Sequence, residues 1–365
     1  MPRFNINRLA AKVETTKGTV ESGVAATDLI RCIAPTLEVR QTAFERDVTR
    51  GSFSTHPRHF AQATGTLRFG VELAGHSSNT ASYATPPLWT RLLQACGFLQ
   101  QSSVRIGING GVTGGPFQSG ETITGGSSAN TAVVGAMTYD GDVEIKTRGG
   151  VSGAFTSGET ITGALSGATA TVQAPLGSVS AGWTWSRWTT PVANYSLTFH
   201  LENEQERSVL YGAEGNVTFE FRAHDRVIMQ FEFQGIFQNK TTITSGSEYS
   251  VFLAGAQPTL LPPPWRNALS LFTIVQTGVI SGTHLPIFSE ATVNAGNNVA
   301  MRPNANALVG WEGAVIAGRA ATASFNPDDP GASTYDFVDL MSAGSMQAVR
   351  IAVGSATYNN FTFHL

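Results

Sequence analysis

A run of strict alternation around one tight turn constrains this chain most. Val217, Phe219 and Phe221 alternate with Thr218 and Glu220. After a turn near Ala223 to Asp225, Met229, Phe231 and Phe233 alternate with Gln230, Glu232 and Gln234. Successive side chains of a strand point to opposite faces, so the pattern predicts an antiparallel hairpin with one aromatic and one wet face. Phe219, Phe221, Met229, Phe231 and Phe233 form the predicted buried face, and Glu220, Gln230, Glu232 and Gln234 the predicted wet face. The stretch from Leu67 to Leu73 repeats the pattern, with Phe69 and Val71 on one side and Arg68 and Glu72 on the other. Antiparallel sheets with one face on a core and one in water carry this signature.

Further strand signals fall at Leu37 to Phe44, Tyr195 to Leu201, Phe288 to Val293 and Asn298 to Met301. Others fall at Trp311 to Phe325 (a strand pair or one long strand), Ala348 to Val353 and Asn360 to His364. Two short helices are predicted. In the first, Pro86 to Cys96, Leu88, Leu92, Leu93 and Cys96 share a face and Gly97 supplies the stop. The second is Tyr335 to Met341, stopped at Gly344. Ala25 to Ile33 reads as a short helix or turn. Strand, long loop, strand, helix, then strands occurs before residue 235 and again after residue 285.

Phe117-Gln118-Ser119-Gly120-Glu121-Thr122-Ile123-Thr124-Gly125 recurs as Phe155-Thr156-Ser157-Gly158-Glu159-Thr160-Ile161-Thr162-Gly163, an offset of 155 − 117 = 38 residues with eight of nine positions identical. Short Val- and Ile-bearing runs and glycine turns flank each copy, so residues 101–180 read as an inserted β module. The 365 residues suit two or three domains. The predicted division is a discontinuous first domain (1–100 and 181–255), the inserted module (101–180), a Pro-rich linker (256–264) and a second domain (265–365).

Charged residues are only 13% of the chain, about half the usual ~25%, with a net charge of −3. So sparse a charge suits a surface hidden in an assembly, or a secreted β protein rich in Ser and Thr. Twenty-three Lys and Arg against 26 Asp and Glu, with no basic run, give no nucleic-acid footprint. Cys32 and Cys96 form neither a disulfide framework nor a metal pattern. No run of eighteen apolar residues predicts a membrane span, and the N-terminus lacks a signal peptide's apolar stretch, which suggests synthesis in a cytoplasm.

Little in the sequence points to chemistry. His56 and His59 lie in a polar stretch without further metal ligands. The glycines from Gly107 to Gly115 lack the Lys-Ser/Thr ending and following helix of a phosphate loop. Glu202, Glu204 and Glu206 with Asp225 offer a carboxylate pair, although alternate glutamates on a strand edge usually face solvent. Trp183, Trp185 and Trp188 either stack a sugar or anchor the inserted module. Arg50 to Thr64 reads as an arm between two good strands, with Arg50, Phe53, His56, Arg58, His59 and Phe60 as its candidate contact residues. No catalytic, cofactor-binding or metal-binding residue is expected.

The order of these motifs resembles the tail tube proteins of long-tailed, siphovirus-like bacteriophages. Glu45 to Arg50 with the arm behind it, Phe69 to Gly75 followed by Pro87 to Gly97, Tyr211 to Phe219 with Phe231 to Gly235, and Ala295 to Arg302 with Gly318 to Ala321 and Phe325 to Asp328 carry the resemblance. The resemblance implies a mainly β fold of two tail-tube-like β-sandwich or barrel domains, each with a short flanking α-helix, plus the inserted module. It implies self-assembly into rings that stack as a hollow tube in the virion tail. A duplicated chain would need three copies for a pseudo-hexameric ring; six copies is the other possibility. Other phage tail proteins would be its partners, and double-stranded DNA would pass through without sequence-specific binding. The protein would be made in the bacterial host cytoplasm and would not be an enzyme. Another virion part (terminator, head decoration or attachment protein) and a secreted carbohydrate-binding β protein are the alternative readings.

Overall fold

The computed structural model describes residues 8–44, 58–75, 86–114, 117–118, 120–135, 145–173, 182–187, 195–203, 206–242, 270–276, 283–284, 288–328, 336, 339, 342, 347–356 and 359–364. The alternating segments form the middle of a nine-stranded sheet. Its strands are Arg8–Val13 (β1), Leu29–Ile30 (β2), Ile33–Arg40 (β3), Thr64–Glu72 (β6), Leu197–Glu202 (β16), Glu206–Arg222 (β17), Ile228–Thr242 (β18), Phe288–Asn294 (β21) and Thr322–Pro327 (β24). The order is β2-β1-β16-β17-β18-β6-β3, with β21 on β17 and β24 on β21. β17 and β18 form the hairpin, with Val217 opposite Phe231 and Phe219 opposite Met229. On the far side of β18, Phe69 of β6 lies opposite Phe231.

The sheet's apolar face and helix Thr90–Ala95 (α1) enclose the core, in which Leu92, Leu93 and Trp89 meet Phe69, Phe199, Phe231 and Phe233. The helix is shorter than the sequence suggests, because Pro86 and Pro87 precede it and Leu88 and Trp89 form a turn. It ends at Gly97, whose φ of 78° is the left-handed stop expected there. Arg91 pins the helix down, donating to the Ala11 carbonyl at 2.7 Å and to Asp28 at 2.9 Å.

A four-stranded sheet of Ser270–Gln276 (β19), Thr283–His284 (β20), Gln347–Ala356 (β25) and Asn359–His364 (β26) lies in the order β20-β19-β25-β26. Its Ile351, Val353, Phe361 and Phe363 join the same core, and the Phe363 ring centroid is 5.0 Å from both Phe219 and Phe221. The sequence separates 265–365 as a second domain. Among the described residues, however, that segment shares sheet and core with the first. The physical reason is the length of β17: β16 covers it only from Arg207 to Ala213, and β21 takes the stretch from Thr218 to Arg222. The 256–264 linker lies outside the described residues, as does most of the helix expected at 335–341.

Asn297–Pro303 (β22) and Trp311–Arg319 (β23) form a ribbon against β17. Gly296 starts this ribbon at φ +64°, and a Cβ there would lie 1.8 Å from the Ala320 carbonyl oxygen. Gly296→Ala is therefore expected to cost about 3 kcal/mol, combining left-handed strain with a backbone clash. Denaturant unfolding measures it; a loss below about 1 kcal/mol would contradict this geometry.

The inserted region has a core of its own. Arg105–Ile106 (β8), Ile108–Thr113 (β9), Thr122–Gly125 (β10), Thr131–Val134 (β11), Ile145–Val151 (β12), Thr160–Gly163 (β13) and Thr169–Val172 (β14) are ordered β8-β12-β11-β10-β13-β14-β9. Only Gly107 separates β8 from β9, so one run of chain pairs with both ends of the sheet and closes it into a small barrel. Phe117, Ile123, Val134, Phe155, Ile161 and Val172 fill the barrel. Phe98–Ser103 (β7) leads into it and Gly182–Arg187 (β15) leads out. The two pair from Phe98 opposite Arg187 to Ser103 opposite Gly182. The barrel thus hangs on a two-stranded stalk, which is where an insertion disturbs its host least.

Candidate assembly surface

The hairpin's two faces differ as alternation requires. Phe219, Phe221, Met229, Phe231 and Phe233 are all buried. Phe69 lies 5.6 Å from Phe231 between ring centroids, and Phe199 4.7 Å from Phe233. On the other face Gln230 is exposed, and Glu220, Glu232 and Gln234 are partly exposed.

That wet face is laced by ion pairs, some between strands and some within one strand. Arg68 donates to both carboxylate oxygens of Glu232, at 3.0 and 3.3 Å, and lies 3.6 Å from Glu38 on β3. Arg40 donates to Glu38 at 2.8 Å and holds its carboxyl below the usual range. Arg226 reaches Glu72 at 3.0 Å, and Arg222 reaches Glu220 at 3.8 Å. Exposed pairs of this kind add little stability. Their effect is on potential: each of these arginines is matched by a glutamate, which leaves a polar face of low net charge.

Among the described residues, no further strand pairs with either end of the sheet path running β3-β6-β18-β17-β21-β24. Among the described residues β3 pairs only with β6, and β24 only with β21. Thr322, Ala323 and Ser324 on β24 are exposed, and Val39 on β3 is 44% exposed. Beside β3, Ala43–Phe44 (β4) and His59–Phe60 (β5) form a short ribbon with Ala43 opposite Phe60. Phe44 and Phe60 are 56% and 63% exposed, unusual for large apolar side chains. Of the arm residues, Arg58, His59 and Phe60 are exposed here, whereas Arg50, Phe53 and His56 lie outside the described residues.

A buried polar clasp went unread in the sequence. Glu14 accepts from Ser196 Oγ at 2.6 Å, Thr198 Oγ1 at 2.9 Å, Gly18 N at 2.8 Å and Gly212 N at 2.6 Å. Glu214 pairs with Lys17 and accepts from the Ile316 amide at 2.9 Å. Burial raises the Glu214 carboxyl above its usual range despite Lys17. The clasp ties the chain after β1 to β16, to the bulge of β17 and to β23.

The expectation that Glu202 faces solvent needs correction. It is 1% exposed and accepts from Arg207 Nε at 2.6 Å, because β1 and β17 cover β16 on both sides. Glu204 lies outside the described residues, and Asp225 sits in the exposed hairpin turn. Burial pushes the Cys32 thiol up to about 11 and the Cys96 thiol up as well, so neither is poised as a nucleophile. Among the described residues no group of three or more His, Cys, Asp or Glu is arranged to hold a metal ion. No described helix is long and apolar enough to cross a membrane. No protein-family model matches the chain, and no curated protein matches it.

Proposed function

We propose that this protein is a tail tube protein. Its chains associate side by side into rings, and the rings stack into the hollow tube of a phage tail through which double-stranded DNA passes. The observation that carries this reading is a sheet with one aromatic packed face, one polar face and, among the described residues, edges without a partner strand at both ends of a path. Bare edges invite pairing, and a ring that joins β24 of one chain to β3 of the next removes both. The polar face then lines the bore. Its matched arginines and glutamates give phosphates little net attraction, as a conduit for DNA requires.

We infer three chains per ring, with six as the alternative. The β17–β21 pairing joins the two halves of the chain in one continuous sheet. It resembles a junction between neighbouring subunits made within a single chain. The exposed Phe44 and Phe60 ribbon suits a contact with an adjacent subunit or ring. The protein acts by assembly, turns over no substrate, is made in the bacterial host cytoplasm and ends in the virion tail beside other tail proteins. The carbohydrate-binding alternative loses support because Trp185 is turned inward, 5.4 Å from Trp89 between ring centroids. Trp188 lies outside the described residues.

Electron microscopy of the purified, concentrated protein tests the proposal. Hollow tubes of stacked rings are expected. Single rings that never stack would favour a terminator, and particles without rings would overturn the reading.

A further inference from the structure

The two repeat copies are stitched together by their own glutamates. β10 and β13 pair with Thr124 opposite Thr162, which are equivalent positions since 162 − 124 = 38. Ile123 opposite Gly163 and Gly125 opposite Ile161 complete a symmetric pairing about a local two-fold axis. Across this axis Glu159 accepts from the Ser127 and Ser128 amides at 3.1 and 2.9 Å and from Ser128 Oγ at 2.8 Å. Glu121 makes the mirror set, from the Leu165 and Ser166 amides at 3.0 and 2.9 Å and from Ser166 Oγ at 2.9 Å. Each also accepts one amide of its own copy, Gln118 for Glu121 and Thr156 for Glu159, both at 2.5 Å. The motif's last glycine leaves room for the visiting carboxylate. A Cβ on Gly125 would lie 2.6 Å from Glu159, and one on Gly163 2.7 Å from Glu121.

We propose that the two copies act as one coupled conformational latch, in which each glutamate holds the other copy's turn closed and release of either opens both turns. Both carboxylates are buried, at 1% and 6% exposure, so an opened partner leaves an unsatisfied acceptor behind. Protonation is the natural trigger. Burial alone would raise Glu159, but the Ser127, Ser128 and Thr156 donors outweigh it and hold the group at about 2; Glu121 is lowered in the same way. The depressed carboxyls stabilise the closed barrel above the ordinary value of 4.5, and that contribution is lost as pH falls toward about 2. Hydroxyls and amides face both groups. The other charged residues on the described barrel strands, Arg105 on β8 and Lys146 and Arg148 on β12, sit on strands that pair with neither β10 nor β13.

Hydrogen exchange of the full chain tests the coupling. Glu159→Gln is expected to speed exchange about tenfold or more in both turns, residues 125–131 and 163–169, and to leave residues 217–237 unchanged. Glu121→Gln should give the same pattern. Acceleration in one turn only, or in neither, would overturn the proposal. Acid titration of the unmodified protein gives a second reading, free of any folding defect in the variants. Both turns should lose protection at one shared midpoint below 4.5. Two separate midpoints, or unaltered protection down to about pH 2, would contradict it.

Discussion

Replacing Phe231 by Ala is expected to destabilise the unassembled subunit by about 3–5 kcal/mol, the usual range for truncating a buried aromatic. Phe231 is 2% exposed and sits in the middle strand of three, stacked on Phe69 at 5.6 Å and on Phe233 at 5.8 Å between centroids. Its neighbours belong to paired strands and are fixed by the ladder, so the cavity has little freedom to collapse. Gln230→Ala, one residue away on the wet face, should change stability by less than about 0.5 kcal/mol. Denaturant unfolding of both variants measures the contrast. A Phe231→Ala loss below about 1 kcal/mol would mean that the register or the burial is wrong.

Removing the barrel is expected to leave the parent fold and its assembly intact. Ser103 and Gly182 face each other at the end of the stalk, so residues 104–181 (181 − 104 + 1 = 78 residues) are replaceable by a tight Gly-containing hairpin loop. The barrel's core is separate from the parent's, so no large apolar surface of the parent is uncovered. On the proposed function, the shortened chain forms tubes of unchanged bore and smaller outer diameter. A folded shortened chain that forms no tubes would show that the barrel helps build the wall. A chain that no longer folds would contradict the independence of the two cores.

The sheet's centre was legible because a half-buried antiparallel strand writes its two faces into alternate residues, as Leu67 to Leu73, Val217 to Phe221 and Met229 to Phe233 do. The stalk was not legible. Gln100, Gln101 and Ser102 carry no period-two signal, and their partners in β15 are reached only after the whole insertion. The buried carboxylates were missed for another reason: charge normally marks surface, and Glu14, Glu121, Glu159 and Glu214 are buried only because amides, hydroxyls and Lys17 satisfy them. A signal for two of them was present. The repeat keeps a glutamate and, four residues later, a glycine in both copies, and the structure uses that glycine as the space for the other copy's glutamate. The return of β21 to the first sheet has no local signature, since it follows from β17 outrunning β16.

The central claim is that bare sheet edges close the chain into a ring, and the mass of the smallest closed assembly tests it most directly. Native mass spectrometry of rings released from tubes is expected to give three chains, about 116 kDa from 3 × 38.6 kDa. Six full chains per ring would contradict the inferred stoichiometry. A protein that stays monomeric under all assembly conditions would contradict the account as a whole.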